Sequence, residues 1–158
     1  MLQLATVNEP GLDIDDRELR RAGPSYTVDT LASIRLEIGP DLPLTTIIGF
    51  DAYCLLYQWH EWQRITDMGH IAVLERPGVD DSALNDVMQA FTREHLVDSV
   101  ACLATRASGG VCRLQLTQMD ISASAIRAAV AAGRSPAFLT PAPVVEYIRA
   151  NGLYGAQV

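Results

Sequence analysis

The sequence predicts an α/β fold with a parallel sheet. Three observations carry that reading: the β-branched run Leu44-Thr45-Thr46-Ile47-Ile48 closed by Gly49, a second apolar run at His70-Ile71-Ala72-Val73-Leu74, and helical periodicity around and between them. Apolar runs that do not alternate suit strands covered on both faces of a parallel sheet. The order strand, helix, strand then implies a right-handed crossover.

The elements follow in order. Met1 to Ala5 is apolar and helix-tolerant, has no start signal of its own, and reads as the tail of something longer. Leu12-Asp13-Ile14-Asp15 alternates as a short edge strand does, the charged run Asp16-Arg17-Glu18-Leu19-Arg20-Arg21 follows, and Gly23-Pro24 makes a turn. Ser25 or Thr27 is placed to cap a helix with Asp29 in its first turn, an apolar face of Val28, Leu31, Ile34 and Ile38, and a stop at Gly39-Pro40. Residues 51 to 67 read as helical with an aromatic-rich break at Tyr57-Gln58-Trp59-His60, and the strand beginning at His70 stops at Arg76-Pro77-Gly78. From Asp81 to Leu96, the residues Leu84, Val87, Met88, Phe91 and His95 recur at helical spacing. Residues 99 to 105 and 111 to 117 read as strands around Ser108-Gly109-Gly110. Asp120-Ile121-Ser122 leads into an alanine-rich helix ending at Gly133, and Pro143-Val144-Val145 opens a last helix capped by Gly152.

Composition narrows the function classes. The chain has 158 residues, 49% of them hydrophobic and 20% charged, which excludes disorder and suits a single domain over residues 1–158. Twelve basic residues stand against 19 acidic ones, a net charge of -7, and they are scattered, so nucleic acid and anionic membrane are poor partners. Cys54, Cys102 and Cys112 form neither a C-x-x-C pair nor an even set, which fits a reducing cytoplasm. No stretch has the pattern of a signal peptide or a membrane span.

Three places offer chemistry. Ligands of an open parallel sheet bind beyond the carboxyl ends of its strands, which selects Gly49-Phe50-Asp51. The glycine admits a ligand to the backbone and the carboxylate can accept ribose hydrogen bonds, or Asp51 caps the next helix. Ile121-Ser122-Ala123-Ser124-Ala125-Ile126-Arg127 puts hydroxyls, amides and a guanidinium at a helix N-terminus, where a triphosphate is a plausible guest. The alternative is a plain serine cap with a solvated Arg127. Trp59-His60, with Trp62 and Pro24-Ser25-Tyr26-Thr27, can stack on a flat heteroaromatic ring and hold a carboxylate on backbone amides, or fill the core. His60, His70 and His95 make no i, i+4 metal pair, Cys54 reads as buried, and no G-x-S-x-G, P-loop or G-x-G-x-x-G occurs.

In this order, Asp16 to Arg21, Pro24-Ser25-Tyr26-Thr27-Val28-Asp29-Thr30-Leu31, Ile47-Ile48-Gly49-Phe50-Asp51, Trp59, Arg76-Pro77-Gly78, Ile121 to Arg127, Val145-Glu146-Tyr147-Ile148 and Gly152-Leu153-Tyr154 resemble bacterial nicotinate-nucleotide adenylyltransferase nearly end to end. The pairing of Pro24-Ser25-Tyr26-Thr27 with Trp59 separates that family from the pantetheine-phosphate adenylyltransferases. The resemblance implies a Rossmann-like nucleotidyltransferase of NAD biosynthesis, cytoplasmic, joining ATP and nicotinate mononucleotide into deamido-NAD and pyrophosphate, with Mg²⁺ bridging the ATP phosphates. It implies that Gly49 and Asp51 meet the ATP ribose region, that Ser122, Ser124 and Arg127 hold the phosphates, and that Thr27, Trp59 and His60 form the nicotinate pocket.

The family's GGxFDPxHxGH segment, whose histidines stabilise the transferring phosphoryl group, has no counterpart in the sequence, so the resemblance assigns no catalytic residue here. The chain is expected to start inside the family's second helix, with the N-terminal strand-helix portion of the fold missing. That strand would lie beside the one ending at Ile48. Its absence would expose sheet edge and apolar faces, making the chain a homo-oligomer or part of a longer functional polypeptide. A nucleotide-binding or interaction module without activity is the alternative reading.

Overall fold

The computed structural model describes residues 1–75, 81–116 and 121–155. In chain order the helices are α1 (Leu2–Thr6), α2 (Arg17–Arg20), α3 (Thr27–Ile38), α4 (Phe50–Cys54), α5 (Ile65–Met68), α6 (Asp86–His95), α7 (Val100–Leu103), α8 (Ala123–Ala131) and α9 (Ala142–Ala150). The strands are β1 (Thr45–Gly49), β2 (His70–Glu75) and β3 (Val111–Gln115). The chain divides into two compact units, Arg17–Gln118 and the pair of segments Met1–Asp16 and Met119–Val158. The fold is of the α/β class with a parallel sheet.

In the Arg17–Gln118 unit the strands lie in the order β1-β2-β3, with Ile47 opposite Ala72 and Ala72 opposite Cys112. All three point the same way, so their carboxyl ends, Gly49, Glu75 and Gln115, share one edge. The central β2 is buried at every position but Leu74, as its unbroken apolar run requires. β1 departs from the expectation of cover on both faces. Among the described residues it pairs on one side only, Thr46 and Ile48 are half-buried, and Ile47 is 66% exposed. The core of this unit joins Val28, Leu31, Tyr53, Leu56, Ile65, Ile71, Val73, Met88 and Val111.

Local chemistry explains most of the boundaries. α3 begins at Thr27, but neither expected residue caps it: its N-cap is Tyr26 and no side chain bonds its first amides. Ser25 is drawn away instead, its Oγ donating to the Glu18 carbonyl at 3.3 Å. The helix stops at Gly39, whose φ of +83° favours glycine. Arg35 then ties its C-terminal end to the unit, donating to the carbonyls of Gly39, Leu42, Met68 and Ala107. Between β1 and β2 the expected broken helix is α4, tight turns at Leu56–Gln58 and Trp62–Arg64, and α5.

α6 starts later than its periodicity suggested. Asn85 accepts from the Met88 amide at 2.9 Å, while Asp81–Ala83 forms a separate turn. Leu84, Met88 and Phe91 are buried, but Val87 is 51% exposed. Residues 99 to 105 are corrected from strand to helix. The bridge to β3 is made just upstream, where Val97 donates to the Val111 carbonyl at 2.9 Å, and the Val100–Leu103 turn that follows buries Leu103.

In the other unit, α1, α8 and α9 pack Leu4 and Ala5 against Val130, Val144, Ile148 and Leu153. The expected edge strand at Leu12 to Asp15 is absent, since no strand lies alongside to receive its hydrogen bonds among the described residues. Ser122 caps α8, Pro143 sits in the first turn of α9, and Gly152 follows that helix at φ +57°. The expected stop at Arg76-Pro77-Gly78, the end of the last strand at Thr117 and the approach at Asp120 lie outside the described residues.

Candidate functional site

The sheet presents Gly49 and Asp51 as the sequence suggests. Gly49 ends β1 and is the N-cap of α4 with extended backbone (φ -72°, ψ 155°), and a side chain added there would meet nothing within 4 Å. Open backbone at the carboxyl end of a parallel strand is where ligands of such sheets bind. Asp51 is exposed in the first turn of α4, while Phe50 between them is buried at 6% exposure. Burial, then the charge of Asp51, pushes the Cys54 thiol up from its ordinary value, so Cys54 is a poor nucleophile at neutral pH.

The aromatic site is assembled from two segments far apart in sequence. The Tyr26 ring lies 4.3 Å from the His60 imidazole, tilted by 32°, which brings the start of α3 against the Trp59-His60 turn. The Tyr26 carbonyl takes the amides of Asp29 and Thr30, and no capping side chain reaches the first turn. The amide end of a twelve-residue helix thus keeps its positive dipole for an anion. Trp59 is half-buried, its indole packed on the core with part of its surface free; His60 is exposed and Thr27 half-buried. Glu61, next in the turn, adopts left-handed backbone at φ 47° and ψ 39°. A non-glycine residue there costs on the order of 1–2 kcal/mol, strain that clusters at binding sites. Trp62 meets Phe91 edge-on at 5.0 Å and serves packing instead.

The charged run before this segment has a role that sequence reasoning missed. Glu18 accepts from the Thr30 hydroxyl at 2.6 Å, and Arg21 donates to Thr30 at 3.2 Å and Ser25 at 3.4 Å. Arg17 reaches Ser33 at 3.0 Å and Glu37 at 2.9 Å along the same helix. Residues 17–21 therefore brace the start of α3 through side-chain bonds. In sequence these residues read only as a charged run, because contacts such as that of Glu18 with Thr30, 12 residues on, leave no local signal.

In the other unit, Ser122, Ser124 and Arg127 crowd the start of α8. Ser122 Oγ accepts from the Ala125 amide at 3.1 Å, and the Arg127 guanidinium donates to Ser124 Oγ at 3.2 Å. All three are exposed, so Ser122 caps the helix while the Arg127 guanidinium stays at the surface beside Ser124. The remaining histidines are structural. His70 is fully buried; its Nδ1 accepts from the Gly110 amide at 2.9 Å, which puts the proton on Nε2 for the Arg106 carbonyl at 2.8 Å. His95 bonds the Gly109 carbonyl at 3.0 Å and packs on Phe91. Among the described residues no three His, Cys, Asp or Glu side chains converge to hold a metal, and no helix is long and apolar enough to cross a membrane.

No family model matches the chain. Individual relatives do. It is 44% identical over 157 residues to a probable nicotinate-nucleotide adenylyltransferase of Marinobacter nauticus, covering 99% of this chain and 72% of that protein. Proteins of the same description from Hahella chejuensis and Aeromonas salmonicida are 43% and 40% identical, with 71% and 72% of their lengths covered. Among solved structures, the Plasmodium falciparum nicotinic acid mononucleotide adenylyltransferase complexed with NaAD superposes at a TM-score of 0.55 and 15% identity, over 85% of this chain and 59% of that one. The same enzyme complexed with APC gives 0.56 and 16%. The second pair speaks for the fold, which is Rossmann-like, and the first three for descent: the chain belongs to the nicotinate-nucleotide adenylyltransferases, a family of nucleotidyltransferases of NAD biosynthesis.

Proposed function

We propose that the 1–158 chain acts as a single functional domain supplying the nicotinate and ATP contacts of an adenylyl transfer. The observation that carries the reading is the meeting of Tyr26 with His60 at 4.3 Å. It brings the turn that carries Trp59 and His60 against the start of α3, which supports a site for a flat aromatic acid that needs a stacking ring and free backbone amides. The nicotinate ring stacks on Trp59, and its carboxylate takes the backbone amides about Thr27 and His60. A neutral carboxamide gains far less from the helix dipole, so the same geometry favours nicotinate over nicotinamide mononucleotide.

On this reading Gly49 and Asp51 meet the ATP ribose, and Ser122, Ser124 and Arg127 hold its phosphates. An oxygen of the mononucleotide phosphate attacks the α-phosphorus of ATP, the new P–O bond forms, and the bond from that phosphorus to the bridging oxygen breaks to release pyrophosphate. The chain's own contribution is positioning and charge: Arg127 carries a permanent planar cation suited to phosphate oxygens. Mg²⁺ would enter as part of the substrate, offsetting charge on the ATP phosphates. The acidic net charge of -7 and the absence of a clustered basic stretch support small-molecule rather than nucleic-acid partners, and a cytoplasmic setting follows from the substrates. Self-association through the unpaired edge of β1 belongs to the same proposal.

The test is pyrophosphate release from ATP, Mg²⁺ and nicotinate mononucleotide, measured for the 158-residue chain and for a version carrying whatever residues are encoded upstream. Release that needs both nucleotides, in either form, supports the reading. Binding of both nucleotides with release in neither would assign the chain as a nucleotide-binding module.

A further inference from the structure

At the carboxyl ends of the strands lies an ionic cluster that the sequence did not single out. Arg113 of β3 donates from Nε to Glu75, the last residue of β2, and from Nη1 to Asp81 at 2.5 Å. Glu75 is 4% exposed, and a carboxylate so far out of water needs a hydrogen-bonding partner. Two carboxylates hold the planar guanidinium in one orientation, from residues on either side of positions 76–80. Burial works to lower the Arg113 pKa, but the bonds and charges of Glu75 and Asp81 outweigh it and hold it above its ordinary value.

The fixed cation has a third contact. Its central carbon lies 5.7 Å from the centroid of the Phe50 ring, within cation–π range. Phe50 is the buried residue between exposed Gly49 and exposed Asp51. Gly49 is also held in the ladder opposite Leu74, and the ring carries the backbone on which Asp51 follows. A second anchor lies one turn on. Thr92 gives its only hydroxyl proton to the Met88 carbonyl at 2.6 Å, so the Tyr53 phenol is the donor in its 2.6 Å bond to Thr92.

We propose that Arg113 is a positioning residue for the nucleotide. Fixed by Glu75 and Asp81, it clamps Phe50 and thereby sets the Gly49 backbone and the Asp51 carboxylate toward the ATP ribose. The inference rests on the ATP role of Gly49 and Asp51 given above. It adds a residue that touches no substrate and acts through Phe50.

The experiment is calorimetric titration of wild type, Arg113→Met, Arg113→Lys, Phe50→Leu and the Arg113→Met/Phe50→Leu double variant with ATP and, separately, with nicotinate mononucleotide, beside melting curves for each. Arg113→Met is expected to weaken ATP binding about 2- to 30-fold, the range a cation–π contact spans, and to leave mononucleotide affinity within about twofold. Arg113→Lys should recover part of the loss. In the Phe50→Leu background, Arg113→Met should have no further effect, because the ring it acts through is gone. Equal weakening of both ligands in step with a lowered melting point would make Arg113 a purely structural residue and overturn the proposal. So would ATP binding unchanged in Arg113→Met. If wild type itself binds the mononucleotide but not ATP, the ATP role of Gly49 and Asp51 fails first and the proposal falls with it.

Discussion

Replacing Trp59 by alanine separates a stacking platform from a piece of core. The indole is half-buried against the cluster that includes Tyr53, Leu56 and Ile65. A fully buried aromatic costs about 3–5 kcal/mol on truncation, so a half-buried one should cost about 2 kcal/mol, roughly 4–8 °C in melting temperature for a chain of this size. The binding loss is a separate quantity. Stacking of a flat heterocycle on an aromatic side chain contributes about 1–3 kcal/mol, so nicotinate mononucleotide should bind roughly 5- to 150-fold more weakly. ATP affinity should hardly move. The assay is calorimetry with each nucleotide well below the variant's own melting point, with Trp59→Phe expected to fall between. Unchanged mononucleotide affinity would remove Trp59 from the site. Equal losses for both nucleotides would mean that the indole only packs.

Arg127→Ala should show the opposite selectivity, weakening ATP binding and sparing the mononucleotide, while thermal stability stays within about 0.5 kcal/mol because the side chain is exposed at the helix surface; matched calorimetric titrations check it. Tyr53 gives a pH prediction. Burial raises its phenol above the ordinary 10.0. A raised folded-state value contributes stability that is complete below about pH 10 and is lost as pH climbs through it. Tyr53→Phe should therefore be less stable than wild type near neutrality by about 1 kcal/mol, the net value of one hydrogen bond. The gap should close in urea titrations at alkaline pH, and a constant gap would refute the assignment.

The parts of the fold legible in the sequence are those fixed locally. β2 announced itself because a central strand must be apolar on both faces, and α8 because Ser122 supplies its own cap. β1, like β2, is a short run without alternation, but among the described residues it meets one neighbour rather than two, a fact of tertiary pairing that composition does not encode. Residues 99 to 105 misled for a related reason: Val100, Cys102 and Leu103 suit a strand as well as a turn of helix, and the bridge to β3 is formed one step earlier, at Leu96 and Val97. Tyr26 was invisible as a cap because it caps by backbone alone, after α2 has taken Ser25.

At the site the balance was similar. The residue types at Gly49, Asp51, Thr27, Trp59, Ser122 and Arg127 were readable from spacing and resemblance. The Tyr26 to His60 contact was not, because it joins residues 34 positions apart, and neither was Arg113, whose partners Glu75 and Asp81 come from two other elements. Ionic and aromatic contacts across strands leave no periodic trace, while caps and core faces do.

The measurement that bears most directly on the account is the affinity of the chain for nicotinate mononucleotide against nicotinamide mononucleotide, titrated side by side. Two ligands alike except for a carboxylate and a carboxamide report on the uncapped start of α3 and little else. A preference for the acid of about fivefold or more is expected, the scale of one charge at a helix N-terminus in a partly buried site. Equal affinities, or a preference for the amide, would contradict it.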